Sequence, residues 1–303
     1  MNHITYFRKV YNKLNIELND WSAINVFEGN DKDFYMKHMR INKINKNDCQ
    51  IGGVVNEIKY KIDKYKFIIY EDTEDNTYSI FRDNNKNEQE CLVLIASTDE
   101  LGRKFIYLQN LSKYSNCVKP EMPRTKGGSL LLKLALEFSN NYLKKKYLAT
   151  YIQLKDNSFI TCDITKTNIQ FDNFYMFTHG DTWYGKYGFI PYDPIHNKID
   201  VDNLVNYKVN QKLVNIIKLR HTNIKQYIKD AIHKLNISEK IPNDKLNKMF
   251  ENYNNRSLKD FFTSFLYESN YEYTCAVFEK IYLKLMKDLD MENLHGKTYY
   301  LEI

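Results

Sequence analysis

The stretch RTKGGS at residues 124–129 places Gly127 and Gly128 directly after Lys126, in a chain with only ten glycines among 303 residues. A helical pattern begins immediately after them. Glycines at a helix N-terminus let backbone N–H groups approach an anion closely, and the helix dipole favours negative charge there. The residues therefore predict a phosphate-type anion site, with an ordinary strand-to-helix turn as the alternative. The spacing matches neither a P-loop nor the dinucleotide-binding fingerprint.

The composition limits the class of protein. With 43% hydrophobic residues the chain can bury a core, and its length predicts two domains or one decorated domain. The first residues contain no apolar signal region, and no window approaches the ~20 apolar residues that span a bilayer, so we expect a soluble, unprocessed protein with no membrane partner. Enrichment in Lys, Asn, Ile and Tyr is typical of an AT-rich genome, such as that of a large DNA virus, a low-GC bacterium or a parasite.

The five cysteines are odd in number and widely spaced, without a C-x-x-C pair. This pattern predicts neither a disulfide framework nor a zinc ribbon, and we predict no metal site. We therefore expect a reducing compartment, the cytoplasm.

Residues 52–111 read as five short strands rich in β-branched and aromatic side chains, separated by polar turns. Their sequences are VVNEIKYKI, YKFIIYE, TYSIFRD, ECLVLIAS and KFIYLQNL. Short connections between successive strands predict an antiparallel meander. The first forty-odd residues favour helix, because Tyr6, Val10 and Leu14 recur every four residues.

A helix is predicted after the glycines, because apolar residues recur at i, i+3, i+4, i+7 and i+11: Leu131, Leu134, Ala135, Phe138 and Tyr142. Three lysines at 144–146 stand where a helix C-terminus favours positive charge. The apolar stretch YLATYIQL follows at once. Strand, glycine turn, helix and strand predict a βαβ crossover with two parallel strands.

After Pro194 the pattern changes to helices, with apolar repeats between Val205 and Leu235 and between Phe278 and Leu289. Ser257 begins a sequence that resembles a capping box ahead of three phenylalanines. The chain ends in a strand-like segment, KTYYLEI.

Together these features resemble the GNAT superfamily of N-acetyltransferases. The RTKGGS stretch resembles the family motif R/Q-x-x-G-x-G/A, and VKP at residues 118–120 is similar to the V-x-P that precedes it. A meander precedes the motif, and a helix and strand follow it, as in the family. The second motif glycine falls one place early, at Gly128, which leaves Ser129 in the final position. Ser129 is small and can serve there as a helix N-cap.

A second stretch, TWYGKYGF at residues 182–189, resembles the family's aromatic-Tyr-x-K-x-G-F segment, where a helix carrying a tyrosine passes into the next strand. The family ends in an antiparallel strand pair, for which residues 188–192 and 298–303 are the candidates. The resemblance implies an α/β (α+β) fold with a mixed, mostly antiparallel sheet and a central βαβ crossover. It divides the chain into an N-terminal helical segment (1–48), a GNAT-like core (49–196), a helical insertion (197–296) and a final strand returning to the core sheet (297–303).

The resemblance also implies a reaction: direct transfer of an acetyl group from acetyl-CoA to a primary amine, without a metal or a covalent nucleophile. Backbone N–H groups of the glycine turn would bind the CoA pyrophosphate, beside the charges of Arg124 and Lys126. The backbone of a splayed strand would bind the pantetheine arm. The implied cofactor-binding residues are Asn110, Leu111, Arg124, Thr125, Lys126, Gly127, Gly128, Ser129 and Asn157.

Two catalytic residues follow from the resemblance. Tyr184 matches the family tyrosine that protonates or stabilises the leaving thiolate, although an ordinary core tyrosine is the alternative in a chain with 25 tyrosines. The family often has a glutamate base on the splayed strand, where this chain has Gln109. Glu121 is our candidate for the base, and Asp156, His179 or a water relay are alternatives.

A basic segment, residues 207–248, carries ten Lys or Arg against three acids. It is either the solvated face of amphipathic helices or a surface for nucleic acid or another anionic partner. The charge suggests an anionic acceptor, although a protein lysine is also possible. The alternative to an enzyme is a catalytically inactive GNAT-like protein that uses these helices to bind nucleic acid or a partner protein.

Overall fold

The computed structural model describes residues 55–81, 89–111, 127–267 and 271–303. The chain folds into two compact units, which we name the sheet unit (the described residues up to Lys155, with Tyr300–Ile303) and the helical unit (Asp156–Tyr299). The boundaries predicted at residues 49, 197 and 297 mark changes of local pattern and do not coincide with this division. The predicted N-terminal helical segment, 1–48, lies outside the described residues.

The sheet unit begins with five antiparallel strands. These are β1 (Val55–Ile62), β2 (Tyr65–Asp72), β3 (Thr77–Phe81), β4 (Glu90–Thr98) and β5 (Lys104–Leu111). Each strand pairs with the next in sequence, which confirms the predicted meander. Between β1 and β2 only two residues form the turn, and Asp63 has a φ of 52° there, as a tight hairpin requires.

A crossover connection follows the meander. Helix α1 (Gly127–Phe138) continues through a π-helical segment (Ser139–Leu143) into the short α2 (Lys144–Tyr147), and β6 (Tyr151–Lys155) then pairs parallel to β5. The predicted apolar face is buried at Leu131, Leu134, Ala135 and Phe138. The prediction of Ser129 as the N-cap is wrong, because the helix already includes Gly127 and Ser129 therefore lies inside its first turn.

The helical unit begins with a hairpin of β7 (Phe159–Thr161) and β8 (Asn168–Gln170), followed by α3 (Phe171–His179). An antiparallel pair, β9 (Ile190–Asp193) and β10 (Lys198–Ile199), leads to five helices. These are α4 (Val201–Ile216), α5 (Ile224–Lys234), α6 (Asn243–Tyr253), α7 (Leu258–Tyr267) and α8 (Tyr271–Asp288). Their apolar faces form one buried cluster. The Ser257 hydroxyl accepts the backbone N–H of Asp260 at 3.1 Å, which confirms the predicted helix start.

The last strand, β11 (Thr298–Glu302), contributes to both units. In the sheet unit it follows β6 in the strand order β1-β2-β3-β4-β5-β6-β11, and in the helical unit it lies next to β9. None of the helices in the described parts of the chain is long and apolar enough to cross a membrane.

A disulfide joins Cys162, in the loop between β7 and β8, to Cys275 in α8, with the Cα atoms 5.9 Å apart. Cys91 is also disulfide-bonded. The prediction that the cysteines form no disulfide is therefore wrong. The spacing could not reveal this bond, because its cysteines are 113 residues apart and only folding brings them together.

An ion pair between the exposed Lys146 and a buried carboxylate fixes α2 within the sheet unit. Lys146 Nζ contacts the Glu71 carboxylate, and the Tyr78 hydroxyl donates to the same carboxylate at 2.6 Å. Burial acts to raise the pKa of Glu71, but the hydrogen bonds from Lys146 and Tyr78 hold that pKa below its usual range. The folded protein therefore favours the ionised carboxylate.

We expect Lys146→Met to lower the free energy of unfolding by about 2 kcal/mol, because it leaves the buried Glu71 carboxylate without its cation. The lysine side chain is 35% exposed, and water near it moderates the loss. Because the folded pKa of Glu71 is lowered, this contribution is present above its unfolded pKa of about 4.3 and is lost as pH falls through the folded value. Urea unfolding at pH 7 and pH 3 measures both effects. The exposed neighbour Lys145→Met is the control, and equal losses for the two variants at pH 7 would contradict the assignment.

Candidate functional site

The end of β5 carries a β-bulge. Leu94 pairs with Leu108 and Val93 with Asn110, so Gln109 is the extra residue of a β-bulge. On the other side of β5, pairing with β6 is observed only from Phe105 to Leu108 in the described part of the chain. The parallel pairing therefore ends where the bulge begins.

The predicted cofactor-binding residues that the structure describes fall into three groups. Asn110 and Leu111 end β5, and Gly127, Gly128 and Ser129 begin α1. The Asn110 side chain donates to the Glu90 carbonyl at 3.0 Å. The predicted binding of pantetheine by Asn110 concerns its backbone and does not need this side chain. Asn157 belongs to the helical unit and is exposed directly after Asp156. Glu121, Arg124, Thr125 and Lys126 lie outside the described residues.

Tyr184 lies before a short 3-10 helix (Gly185–Tyr187) that leads into β9, five residues after α3 ends. Its side chain is buried, with 7% exposed, and its ring contacts Trp183 and Phe189 at centroid distances of 4.9 and 5.9 Å. Burial raises the pKa of Tyr184, and the nearby charge of Asp156 raises it further. The hydroxyl therefore keeps its proton at neutral pH and is a weaker acid than an exposed tyrosine.

A partly buried polar network holds the backbone beside Tyr184. The Tyr207 hydroxyl donates to the Asp181 carboxylate, and Gln211 Nε2 donates to the Tyr207 hydroxyl at 3.0 Å. The Gly185 N–H donates to the Thr182 hydroxyl at 3.0 Å. A Cβ on Gly185 would overlap Tyr207, Asp181 and Thr182, so the close approach requires glycine here.

His179, one of the alternatives for the base, has its ring stacked on Tyr175 at 3.8 Å. Lys186 Nζ lies 5.1 Å from the same Tyr175 ring. Burial, together with the charges of Lys186 and Lys259, lowers the pKa of His179 to about 4. A group with this pKa is neutral at pH 7 but is a weak proton acceptor.

Two buried carboxyl groups of the helical unit, those of Asp156 and Asp172, interact electrostatically. Asp156 and Asp172 are each 1% exposed. Burial raises the pKa of Asp156, and burial together with the charge of Asp156 raises the pKa of Asp172 to about 7. His295 Nδ1 lies 3.8 Å from Asp172 Oδ1. Perturbed carboxyl groups of this kind are candidates for a functional site.

The sequence reasoning named Asp156 but missed Asp172 and His295. Asp172 lies in the first turn of α3, and His295 lies between α8 and β11. Neither stands at a recognisable spacing from Asp156, so their grouping follows from the fold alone. The first-turn position of Asp172 is the one available signal, since helix N-termini favour carboxylates.

The described chain is a mixed α/β protein with a large, mostly antiparallel sheet and one parallel strand pair joined by a helix. It matches no protein-family model, no curated protein and no solved structure. Within the described residues, no group of three or more His, Cys, Asp or Glu side chains is arranged to hold a metal ion.

Proposed function

We propose that this protein is an N-acetyltransferase that transfers the acetyl group of acetyl-CoA directly to a primary amine. The observation that carries the proposal is the parallel β5–β6 pair, whose crossover helix includes two glycines in its first turn and whose pairing stops beside a bulge. Because β6 begins soon after α2 ends, the start of α1 lies toward the carboxyl ends of the two strands. Backbone N–H donors at the helix start and the end of the parallel pairing lie toward the same end of the strands, which suits an extended, phosphorylated thioester.

The resemblance to the GNAT superfamily supports the same reading. The glycine turn, the TWYGKYGF stretch and the last strand occur in the family's order, and β11 lies next to β9 as the closing strand pair requires. Backbone N–H groups of residues 126–129 would bind the pyrophosphate, with Arg124 and Lys126 adding charge. The backbone at Asn110 and Leu111 would bind pantetheine, and Tyr184 would protonate the leaving thiolate.

For the amine acceptor, we propose only a chemical class. Lysines of the basic segment are mostly exposed, as on the solvated face of amphipathic helices, and their charge favours an anionic small molecule or macromolecule. If the protein is in the cytoplasm, the disulfide of the helical unit has to persist against the reductants of the cell.

A catalytically inactive GNAT-like binding protein is the second candidate. Gln109 favours it, because this residue occupies the bulge of the strand on which the family often has a glutamate base. Such a protein would use the exposed lysines for nucleic acid or a partner. Nucleic-acid affinity that falls steeply with salt, without acetyl transfer, would favour this candidate.

Acetyl-CoA is expected to stabilise the protein without any acceptor present. Ligand at a hundred times its dissociation constant stabilises by about 2.7 kcal/mol, which is a rise in melting temperature of about 5 °C for a protein of this size. Differential scanning fluorimetry with and without acetyl-CoA measures the rise.

Matched charge reversals test whether the rise in melting temperature comes from acetyl-CoA bound at the proposed site. Lys126→Glu should weaken it, whereas Lys229→Glu, on the exposed face of α5, should leave it unchanged. No rise at millimolar acetyl-CoA would rule out the proposed function.

A further inference from the structure

An apolar cavity opens at the surface of the helical unit, where the connection between α5 and α6 meets α7. Its walls include Ile241, Leu246, Met249 and Phe265, which are at most 9% exposed and belong to the buried cluster of the unit. Pro242 also lines the cavity and is exposed, so the cavity leads from the surface to the core. Within the described residues, no carboxylate side chain lines it.

The volume of this cavity, which we name the α6 cavity, is about 70 Å³. One water molecule needs roughly 10 to 15 Å³ of such space, and an apolar cavity of about 150 Å³ holds benzene. The α6 cavity can therefore hold one aliphatic side chain of about the size of leucine. Pockets that enclose a whole small molecule have volumes of roughly 300 Å³ or more, so most of a ligand of the α6 cavity has to lie outside it.

The backbone around the α6 cavity is held in one conformation. The Ile241 N–H donates to the Ile237 carbonyl at 3.2 Å. The Leu246 N–H donates to the Pro242 carbonyl at 3.0 Å. Because these bonds fix the connection between the two helices, binding has to order little of the backbone. Met249 is the adaptable part of the wall, since its unbranched thioether side chain fits groups of different shape.

Two lysines border the α6 cavity. Lys240 and Lys245 both line it, and both are exposed. Neither ammonium group forms an ion pair or a hydrogen bond with the part of the chain that the structure describes. The acidic residues nearest to them in sequence, Glu239 and Asp244, do not line the cavity. The α6 cavity therefore combines apolar walls with positive charge at its mouth, at the end of the basic segment.

We propose that the α6 cavity binds an acidic segment of a partner protein. One aliphatic side chain of that segment enters the cavity, and its Asp or Glu side chains lie beside Lys240 and Lys245. The apolar walls stabilise the aliphatic group by removing it from water. The two ammonium groups complement the charge of the segment and increase its rate of association. This interaction does not depend on the proposed acetyl transfer.

Size and charge together favour a peptide over other anions. A nucleic acid brings negative charge to the lysines but has no aliphatic side chain for the cavity. A free aliphatic acid fills the cavity but brings a single carboxylate. An acidic peptide supplies both an anchor that fills the cavity and several carboxylates around it, and such an arrangement is typical of protein interfaces.

Methyl NMR of the full chain, labelled at Ile, Leu and Met, tests the proposal with peptides of known sequence. The probes are Glu-Asp-Glu-X-Glu-Asp-Glu peptides with Leu, Ile or Met at X, and we expect them to shift the methyl signals of Ile241, Leu246 and Met249. The matched peptide with Ala at X should bind about tenfold more weakly than the Leu peptide, because it places less apolar surface in the cavity. No shift of these signals with any of the three probes at millimolar concentration would overturn the proposal.

Matched lysine variants test the contribution of charge. In the double variant Lys240→Gln, Lys245→Gln we expect the affinity for the Leu peptide to fall about fivefold at low salt and by less at high salt. The control, Lys229→Gln with Lys234→Gln, removes two exposed lysines of α5 that do not line the cavity and should bind like the wild type. Both double variants lower the net charge equally, so equal losses of affinity would overturn the proposal. All four side chains are exposed, and we expect unchanged melting temperatures.

Two further ligands distinguish the peptide from other sources of the same chemistry. 4-Methylpentanoate joins the isobutyl group of leucine to a single carboxylate, and we expect it to bind more weakly than the Leu peptide. Equal affinity would assign the cavity to a free aliphatic acid. Oligoadenylate carries negative charge without an aliphatic side chain, and we expect it to leave the methyl signals of the cavity unchanged. Larger shifts with oligoadenylate than with the Leu peptide would assign this surface to nucleic acid, and either assignment would overturn the proposal.

Discussion

Removal of the Cys162–Cys275 disulfide is expected to lower the free energy of unfolding by about 4 to 5 kcal/mol, the largest loss that we expect from any change described for this protein. The two cysteines are 113 residues apart, so the bond closes a long loop and restricts the unfolded chain strongly. Both cysteines are buried in the apolar core of the helical unit, and replacing them with alanine also removes a little packing.

Urea unfolding of the double variant Cys162→Ala, Cys275→Ala and of the wild type, both without reductant, measures the loss. The absence of reductant leaves the other cysteines in their native state. Counting free thiols in the unfolded wild type checks that the bond forms in solution. A loss below about 1 kcal/mol would mean that the bond does not constrain the unfolded chain as this loop length requires. An intact bond in protein isolated from its own cell would count directly against a reducing compartment.

Tyr184→Phe is expected to lower turnover by roughly 10²-fold or more, because it removes the hydroxyl proposed to protonate the CoA thiolate. The ring packs between Trp183 and Phe189, and phenylalanine keeps those contacts. Stability should therefore change by less than about 1 kcal/mol. This combination distinguishes a catalytic hydroxyl from an ordinary core tyrosine.

The measurement is CoA thiol release at saturating substrate, accompanied by the melting temperature of each variant. Tyr187→Phe removes a hydroxyl from the same 3-10 turn and is the matched control, for which we expect a rate close to that of the wild type. An unchanged rate for Tyr184→Phe would remove this residue from the mechanism. A large fall in melting temperature with an unchanged rate would assign it to packing alone.

Several elements were predictable because they depend on neighbouring residues. The five strands of the meander follow from runs of β-branched and aromatic residues separated by polar turns. The α1 helix follows from its apolar repeat, and a helix that connects two strands of one sheet predicted that these strands run parallel. The local sequence pattern did not predict the short elements α3, β7 and β8, because a few residues show too little hydrophobic periodicity to be recognised.

The sequence by itself determined the meander, the glycine-led helix, the parallel crossover and the helices of the second half, since hydrophobic periodicity and capping act over a few residues. Tertiary structure alone decided that Cys162 meets Cys275 and that His295 faces the buried pair of Asp156 and Asp172. The disulfide bond and the raised pKa values of Asp156 and Asp172 depend on burial and proximity that exist only once the helical unit has folded.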